Sequence, residues 1–176
     1  MEALFDFRHE KSVTSIWGLS LLQVRIPGFG SVRLEHLVSD FTGTLAMDGQ
    51  LLPRSRVMLT KLSKSLTIHV LTSDLLGTVH EELKGVPCLI HIVSGPGLDE
   101  KKQAYVRKLG ARNVVALGNG MNDRKMLSSA RIGIVVMGNE GCSCEALLAA
   151  DIQVSSVEDA FDLLLNPKRL VATLQY

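Results

Sequence analysis

Short apolar runs alternate with amphipathic stretches over most of this 176-residue chain. The apolar runs predict strands at residues 21–26, 32–38, 66–71, 88–93, 113–117, 132–136 and 152–154. Helical spacing predicts helices at residues 53–65, 75–84, 99–110, 145–149 and 157–165, a short helix after residue 123 and a last one after residue 167. Strands that alternate with helices in this way indicate an α/β sandwich of three layers, with a mainly parallel sheet between the helices.

The chain is organised as one domain with an N-terminal extension. Residues 1–20 show no clean period and are interpreted as an extension of uncertain order. Residues 21–176 form a single domain, because no linker or internal repeat divides them and their length suffices for one core. Residues 27–30, Pro-Gly-Phe-Gly, predict a β-hairpin between the first two strands. Ser156 followed by Asp159 predicts a capping box at the start of a helix.

Composition narrows the class of protein. The apolar fraction of 46% and the charged fraction of 21% are ordinary for a globular domain. A formal net charge of +1 gives no electrostatic reason to expect a nucleic-acid or membrane partner. We expect a cytoplasmic protein, since no apolar run is long enough for a membrane span and residues 1–20 do not resemble a signal peptide. Cys88, Cys142 and Cys144 cannot all pair, which suits a reducing compartment.

A polar loop, Ser-Asp-Phe-Thr-Gly-Thr-Leu, follows the second predicted strand at residues 39–45. Ligands of open α/β sheets bind at the carboxyl ends of strands, where this loop places Asp40. Gly43 permits a sharp turn, and the hydroxyls of Thr42 and Thr44 can bond the loop or a ligand oxygen. A carboxylate held in this way can attack phosphorus and form an aspartyl-phosphate. We therefore predict that Asp40 is a nucleophile and that Gly43 and Thr44 contact the substrate.

Two further loops supply groups for a phosphoryl ligand. Thr72 ends the third predicted strand, where its hydroxyl can donate to a phosphoryl oxygen, and Ser73 beside it is a second substrate-binding candidate. Lys102 lies early in the helix that begins near residue 99, so its ammonium can offset the charge of Asp40 and of a phosphate. Its neighbour Lys101 is nearly as good a candidate.

A metal site is predicted at the same edge of the sheet. Asn119, Asn122 and Asp123 follow the fifth predicted strand. Mg²⁺ prefers oxygen ligands and keeps several waters, so Asp40 and the Thr42 carbonyl would suffice together with either Asn119 or Asp123. The metal would neutralise phosphate charge during in-line attack. We expect Asn122 to contact the substrate.

Each of these loops, taken alone, also fits an ordinary turn, helix cap or surface lysine. The four loops in this order, each at or soon after a strand end, are hard to explain by structure alone. His36, His69 and His91 fall within predicted strands and are interpreted as structural.

The ordered motifs resemble the haloacid dehalogenase (HAD) superfamily, and within it the phosphorylation domain of P-type ATPases. Residues 40–44, Asp-Phe-Thr-Gly-Thr, resemble the pumps' Asp-Lys-Thr-Gly-Thr. Residues 72–74 resemble their Thr-Gly-Asp, and residues 118–123 resemble Gly-Asp-Gly-x-Asn-Asp. The resemblance covers about residues 32–165. It implies a Rossmann-like three-layer sandwich and a Mg²⁺-dependent phosphatase that acts on a small phosphate monoester.

Two intervals between the motifs are too short for a pump. Residues 41–71 are too few for the pumps' nucleotide-binding insert, and neither they nor residues 73–101 can hold a large cap domain. The resemblance therefore implies a capless, soluble, P-type-ATPase-like phosphatase with an exposed site. Some capless relatives cover the site by association, so we expect a homo-oligomer.

Two positions depart from the family pattern. Most phosphatases of the superfamily carry a second Asp two residues after the nucleophile. This chain has Thr42 at that position, and the pumps also have a threonine there. Losing such an acid–base group typically costs about 10²–10⁴-fold in rate, so dephosphorylation should be slow. Asn119 stands where the family has a metal-binding Asp, which implies weaker Mg²⁺ binding. An alternative of another class follows, a non-catalytic scaffold or phosphate-sensing module that keeps the fold.

Overall fold

The structure is a computed structural model that describes residues 21–176, so the predicted extension at residues 1–20 lies outside it. The strands are β1 (Leu22–Ile26), β2 (Gly30–Leu34), β3 (His36–Ser39), β4 (Ala46–Met47), β5 (Gln50–Leu51), β6 (Thr67–Thr72), β7 (Leu89–Ile92), β8 (Val114–Gly118), β9 (Ile132–Val136) and β10 (Ile152–Val154). The helices are α1 (Ser55–Leu62), α2 (Val79–Glu82), α3 (Leu98–Lys108), α4 (Arg124–Ser129), α5 (Cys144–Ala149), α6 (Val157–Leu165) and α7 (Pro167–Leu174). Short 3-10 helices cover Ala111–Asn113 and Met121–Asp123.

Six parallel strands form the central sheet in the order β10-β9-β8-β3-β6-β7. Apolar side chains of α1, α6 and α7 pack with the hairpin β1–β2 on one face of the sheet. Helices α3, α4 and α5 pack on the other face around a second apolar cluster. This arrangement confirms the predicted α/β sandwich of three layers with a parallel sheet and an N-terminal hairpin.

The predicted strand at residues 32–38 was wrong as a single element. Residues up to Leu34 pair antiparallel with β1, whereas β3 lies between β6 and β8 in the central sheet. The chain passes from one sheet to the other at Glu35. Its backbone N–H donates to the Asn113 carbonyl, and its carbonyl accepts from the Thr67 N–H at the start of β6. Both β2 and β3 bury apolar side chains. The apolar pattern is therefore continuous through residue 35 and does not show that the chain changes sheets.

The predicted helix at residues 75–84 was also wrong over its first half. The Asp74 carboxylate accepts hydrogen bonds from the backbone N–H groups of Thr78 and Val79, and the Gly77 N–H bonds the Asp74 carbonyl. These bonds hold a turn, so the helix α2 is a single turn. The β4–β5 hairpin was missed because two-residue strands are too short to show alternation.

The remaining elements lie close to their predicted positions. The strand at residues 132–136 and the helix at residues 157–165 are confirmed at the same bounds. The capping box is confirmed, since the hydroxyl of Ser156 accepts from the Asp159 N–H and the Asp159 carboxylate accepts from the Ser156 N–H. Within residues 21–176, none of the helices has the length and apolar content that crossing a bilayer requires.

Candidate active site

The strand order brings the predicted loops together. Strand β3 lies between β6 and β8, with Ser39 in register with Val70 on one side and Leu117 on the other. All three strands run the same way, so the loops that follow Ser39, Thr72 and Gly118 leave the same end of the sheet. The Asp40 N–H also bonds the Leu117 carbonyl at 2.9 Å, which fixes the start of its loop against β8.

A buried lysine joins two carboxylates at this edge. The Nζ of Lys102 lies 2.6 Å from Oδ1 of Asp40 and 2.7 Å from Oδ1 of Asp123. The Lys102 side chain is 1% exposed, that of Asp123 is 0% exposed and that of Asp40 is 10% exposed. The other oxygen of Asp123 accepts from the backbone N–H groups of Asn119 and Gly120. Both oxygens of Asp123 therefore have partners, and Asp40 is the more exposed of the two carboxylates.

Burial and charge set the protonation of this cluster. Desolvation, with the nearby Asp123 carboxylate second, raises the pKa of Asp40 to about 7, although Lys102 opposes the shift. Burial alone would lower the pKa of Lys102, but the two carboxylates outweigh it and raise that pKa. The ammonium therefore keeps its charge at neutral pH, while Asp40 titrates near pH 7.

The second lysine candidate lies elsewhere. Lys101 is exposed, and its ammonium donates to the carbonyl of Ser94 at 2.5 Å. Since α3 turns these neighbours to different sides, Lys102 alone of the two reaches Asp40.

Asn119 is fixed by both ends of its amide. Its Nδ2 donates to the Gly141 carbonyl at 3.1 Å, and its Oδ1 accepts from the Thr44 hydroxyl at 3.2 Å. Gly43 has a φ of 77°, and a Cβ there would lie 2.3 Å from the Nδ2 of Asn119. Glycine is thus required at residue 43 for the amide to pack against the loop. Gly141 was missed by sequence reasoning, because no motif marks it.

The other predicted residues take different positions around the site. Thr72 is buried, and its hydroxyl oxygen accepts from the Asp74 N–H, which leaves its proton free to donate. Ser73 and Asn122 are half-buried, and the side chain of Thr42 is exposed. The structure brings Asp40, Lys102 and Asp123 into direct contact and leaves the others in the surrounding loops.

The donor set suits a hard cation that keeps most of its waters. Among residues 21–176, no group of three or more His, Cys, Asp or Glu side chains is arranged to hold a metal ion. The Asp40 carboxylate and the Asn119 amide oxygen, which accepts from the Thr44 hydroxyl in the loop after Asp40, are both oxygen donors. Mg²⁺ is commonly bound by one or two carboxylates together with waters and substrate phosphates, so this site fits it better than a soft metal.

A short hairpin replaces a cap over this edge. Between described residues 40 and 102, the elements are the β4–β5 hairpin, α1, α2, the strands β6 and β7, and the start of α3. The hairpin is held on both sides, since the Asp48 N–H donates to the Glu140 carboxylate and the Thr78 hydroxyl donates to the Gly49 carbonyl.

Comparison with known proteins identifies one curated relative of the chain. No family model matches the chain. The uncharacterized protein MJ0073 of Methanocaldococcus jannaschii is 47% identical over 62 residues, which are 35% of this chain and 67% of that protein. This chain belongs to the same family as MJ0073.

Solved structures extend the likeness to most of the described chain. The 3-deoxy-D-manno-octulosonate 8-phosphate phosphatase of Moraxella catarrhalis, solved with magnesium, phosphate and KDO, is similar with a TM-score of 0.61 and 19% identity, over 81% of this chain and 94% of that one. A zinc-transporting PIB-type ATPase in the E2P state is similar with a TM-score of 0.57 and 19% identity, over 69% of this chain and 20% of that one. The expected HAD fold, shared by phosphatases and pumps, is confirmed.

Proposed function

We propose that this protein is a phosphohydrolase that acts on small phosphate monoesters, with Asp40 as the nucleophile. The observation that carries the proposal is the buried contact of the Lys102 ammonium with Asp40 and Asp123. A buried charge cluster is costly to build, and such clusters concentrate where chemistry needs them. Its position at the carboxyl ends of parallel strands favours a ligand site over a purely structural ion pair.

The reaction would run through an aspartyl-phosphate. A carboxylate oxygen of Asp40 attacks phosphorus, the bond to the ester oxygen breaks, and the alkoxide leaves and takes a proton from bulk water to become the alcohol. Water then attacks the phosphorus and gives a proton to the solvent, which releases phosphate and regenerates the carboxylate. Lys102 keeps Asp40 oriented and offsets the negative charge that gathers around the phosphoryl group. The Thr72 hydroxyl has a free proton to donate to a phosphoryl oxygen.

Mg²⁺ is the proposed cofactor, held by Asp40, the Thr42 carbonyl and Asn119, and it would supply positive charge to the phosphoryl oxygens. Asp123 is the weaker ligand candidate, because Lys102 and two backbone N–H groups already occupy its oxygens. It serves the site by holding the lysine in place.

A groove beside the site gives room for the alcohol part of the substrate. Its volume is about 540 Å³, and it lies between the start of α3 and the loop after β8. Gly97, Asn122 and Arg124 are among its lining residues. The groove is open, and its walls combine the apolar residues Pro96, Leu98 and Met121 with polar ones, so it can accept the alcohol part of a small phosphate monoester.

Turnover should be slow, because no carboxylate stands two residues after Asp40. The exposed hydroxyl of Thr42 cannot serve as acid or base near neutral pH. The phosphorylated protein should therefore accumulate during turnover.

Asp40→Asn tests the proposal, with Asp48→Asn as the matched control. Asp48 lies at the exposed tip of the β4–β5 hairpin with a φ of 51°, a conformation that asparagine also tolerates. We expect Asp40→Asn to abolish both hydrolysis of phosphate esters and Mg²⁺-dependent stabilisation by beryllofluoride, which mimics a phosphorylated carboxylate. Asp48→Asn should retain both. Wild-type hydrolysis in Asp40→Asn would refute the assignment of the nucleophile.

A second candidate function is a phosphate-sensing or scaffold module without catalysis. The fixed amide of Asn119 favours it, since this position offers no negative charge to a metal. In that case phosphate or beryllofluoride would stabilise the protein, but no phosphate ester would be hydrolysed.

A homo-oligomer and a cytoplasmic location stay predictions. The exposed side chains of Leu75, Leu76 and Met121 support association over the site, because all three lie in segments that follow the carboxyl ends of β6 and β8. A second copy placed there would remove apolar surface from water.

A further inference from the structure

A second groove lies at the end of the central sheet where the strands begin, opposite the candidate active site. Its volume is about 560 Å³, and its walls contain three arginines and no acidic residue. The lining residues are Ser31, Arg33, Ala111, Arg112, Asn113, Ser129, Ala130 and Arg131. We infer that this groove binds a small molecule that carries two or more negative charges on phosphate or carboxylate groups.

The groove is separate from the candidate active site. Asn113 and Arg131 immediately precede β8 and β9, so the groove lies where these strands begin. The active-site loops leave the opposite ends of the sheet, after Gly118 and after Ser39. Five residues of strand at about 3.3 Å each separate the two edges by roughly 16 Å. A ligand in this groove would therefore leave Asp40 open to substrate.

Two of the three arginines are held in place by neighbours. The guanidinium of Arg131 donates to the Phe29 carbonyl at 2.9 Å and lies 4.2 Å from the centre of the Phe29 ring. The Nε of Arg33 lies 3.1 Å from the Glu35 carboxylate. Each contact uses only part of a guanidinium that carries five N–H donors, so donors remain for a ligand. Their fixed positions lower the entropy cost of binding.

Arg112 contributes an exposed positive charge to the groove, and among residues 21–176 it has no acidic partner. It belongs to the 3-10 helix that leads into β8, so its backbone is fixed beside the groove. Glu35 offsets the charge of Arg33, so Arg112 and Arg131 supply the positive charge that an anion in the groove would neutralise.

The chemistry favours a small oxyanion over a nucleic acid. Guanidinium groups match phosphate and carboxylate with paired hydrogen bonds, and Ser31, Asn113 and Ser129 add neutral polar groups. The volume is that of a site for a small molecule. A nucleic-acid surface needs an extended excess of positive charge, which a chain with a formal net charge of +1 does not supply.

Binding can be tested on the full chain by amide NMR with inorganic pyrophosphate and, separately, citrate. We expect at least one anion to shift the amide signals of residues 111–113 and 129–131, and the response should weaken as ionic strength rises. Arg112→Glu should weaken binding at these signals at least about tenfold, because it replaces a fixed attraction by repulsion. Arg54→Glu is the matched control, since Arg54 is an exposed arginine directly before α1 and does not line the groove.

The two anions identify the group that binds. A response to pyrophosphate alone assigns a phosphate ligand, and one to citrate alone assigns a carboxylate ligand. The inference fails if both anions shift only signals near Asp40, Thr72 and Asn119, or if Arg112→Glu binds as tightly as Arg54→Glu. Neither result depends on hydrolysis at Asp40, so the inference and the proposed function can fail separately.

Discussion

Replacing Lys102 with methionine removes the charge at the centre of the candidate site and keeps a side chain of similar length. The variant leaves Asp123 buried with no cation, at a side-chain exposure of 0%. Removing one partner of a buried ion pair typically costs 3–5 kcal/mol, and about this loss in the free energy of unfolding is expected at pH 6. The loss is large because the Lys102 ammonium, whose side chain is 1% exposed, lies 2.7 Å from the buried Asp123 carboxylate and 2.6 Å from Asp40.

The loss should grow with pH. The pKa of Asp40 is raised from 3.8 to about 7, so the wild-type folded state keeps a proton that the unfolded chain releases. Wild-type stability from this group is therefore present at low pH, falls as pH rises towards 7 and levels off above it. In Lys102→Met, which lacks the ammonium, the pKa of Asp40 rises further. The stability of the variant therefore continues to fall above pH 7. The gap between the two proteins should widen above pH 7 by up to ~1.4 kcal/mol for each pH unit.

Urea unfolding at pH 6, 7 and 8 measures this effect, and Lys101→Met is the matched control. Lys101 is the adjacent, exposed lysine whose ammonium bonds the Ser94 carbonyl, so its loss should change stability by less than about 1 kcal/mol. Equal unfolding midpoints for the two variants, or a gap that does not depend on pH, would refute the charge cluster as described.

Two further substitutions should change the stability by smaller amounts. Ser55→Ala should stabilise the protein by about 1 kcal/mol in urea unfolding, because the Ser55 hydroxyl is fully buried and finds no hydrogen-bond partner in the described region. A lower midpoint would show that the hydroxyl does have a partner. Asn119→Asp replaces the donor to the Gly141 carbonyl by a charge and should cost ~1–3 kcal/mol without divalent ions. Its melting temperature should rise more with Mg²⁺ than that of the wild type, and an equal rise would contradict Asn119 as a metal-facing residue.

Most of the fold follows from local pattern, and the errors share one cause. The strand at residues 132–136 is buried on both faces, so its apolar run is unambiguous. The change of sheet at Glu35 and the turn after Asp74 depend on hydrogen bonds to distant or side-chain partners. Periodicity reports which residues are buried, but not which strand or side chain takes up the backbone groups.

The site divides in the same way. Asp40 and Thr72 are marked by their positions at the ends of apolar runs, so the sequence alone predicts both at the carboxyl ends of strands. The choice between Lys101 and Lys102 needed the rotation of α3 about its axis, which a helix of mixed polarity does not reveal. Gly141 could not be found at all, because its contact with Asn119 uses a backbone carbonyl and therefore leaves no trace in residue type.

That rotation of α3 has a physical origin in the histidines of the strands. Tyr105 lies one helical turn after Lys102, and its hydroxyl is 2.9 Å from Nδ1 of His69 and 2.5 Å from Nε2 of His91. Burial, with the neighbouring imidazoles second, lowers the pKa of His69 to about 4, so this ring is neutral and can accept or donate in the cluster at physiological pH. Since His69 and His91 stand on β6 and β7, the tyrosine fixes α3 to both strands, and α3 in turn directs the lysine at Asp40. The three aromatic side chains thus position the site without touching it, and their relation appears only once β6 and β7 are known to be neighbours.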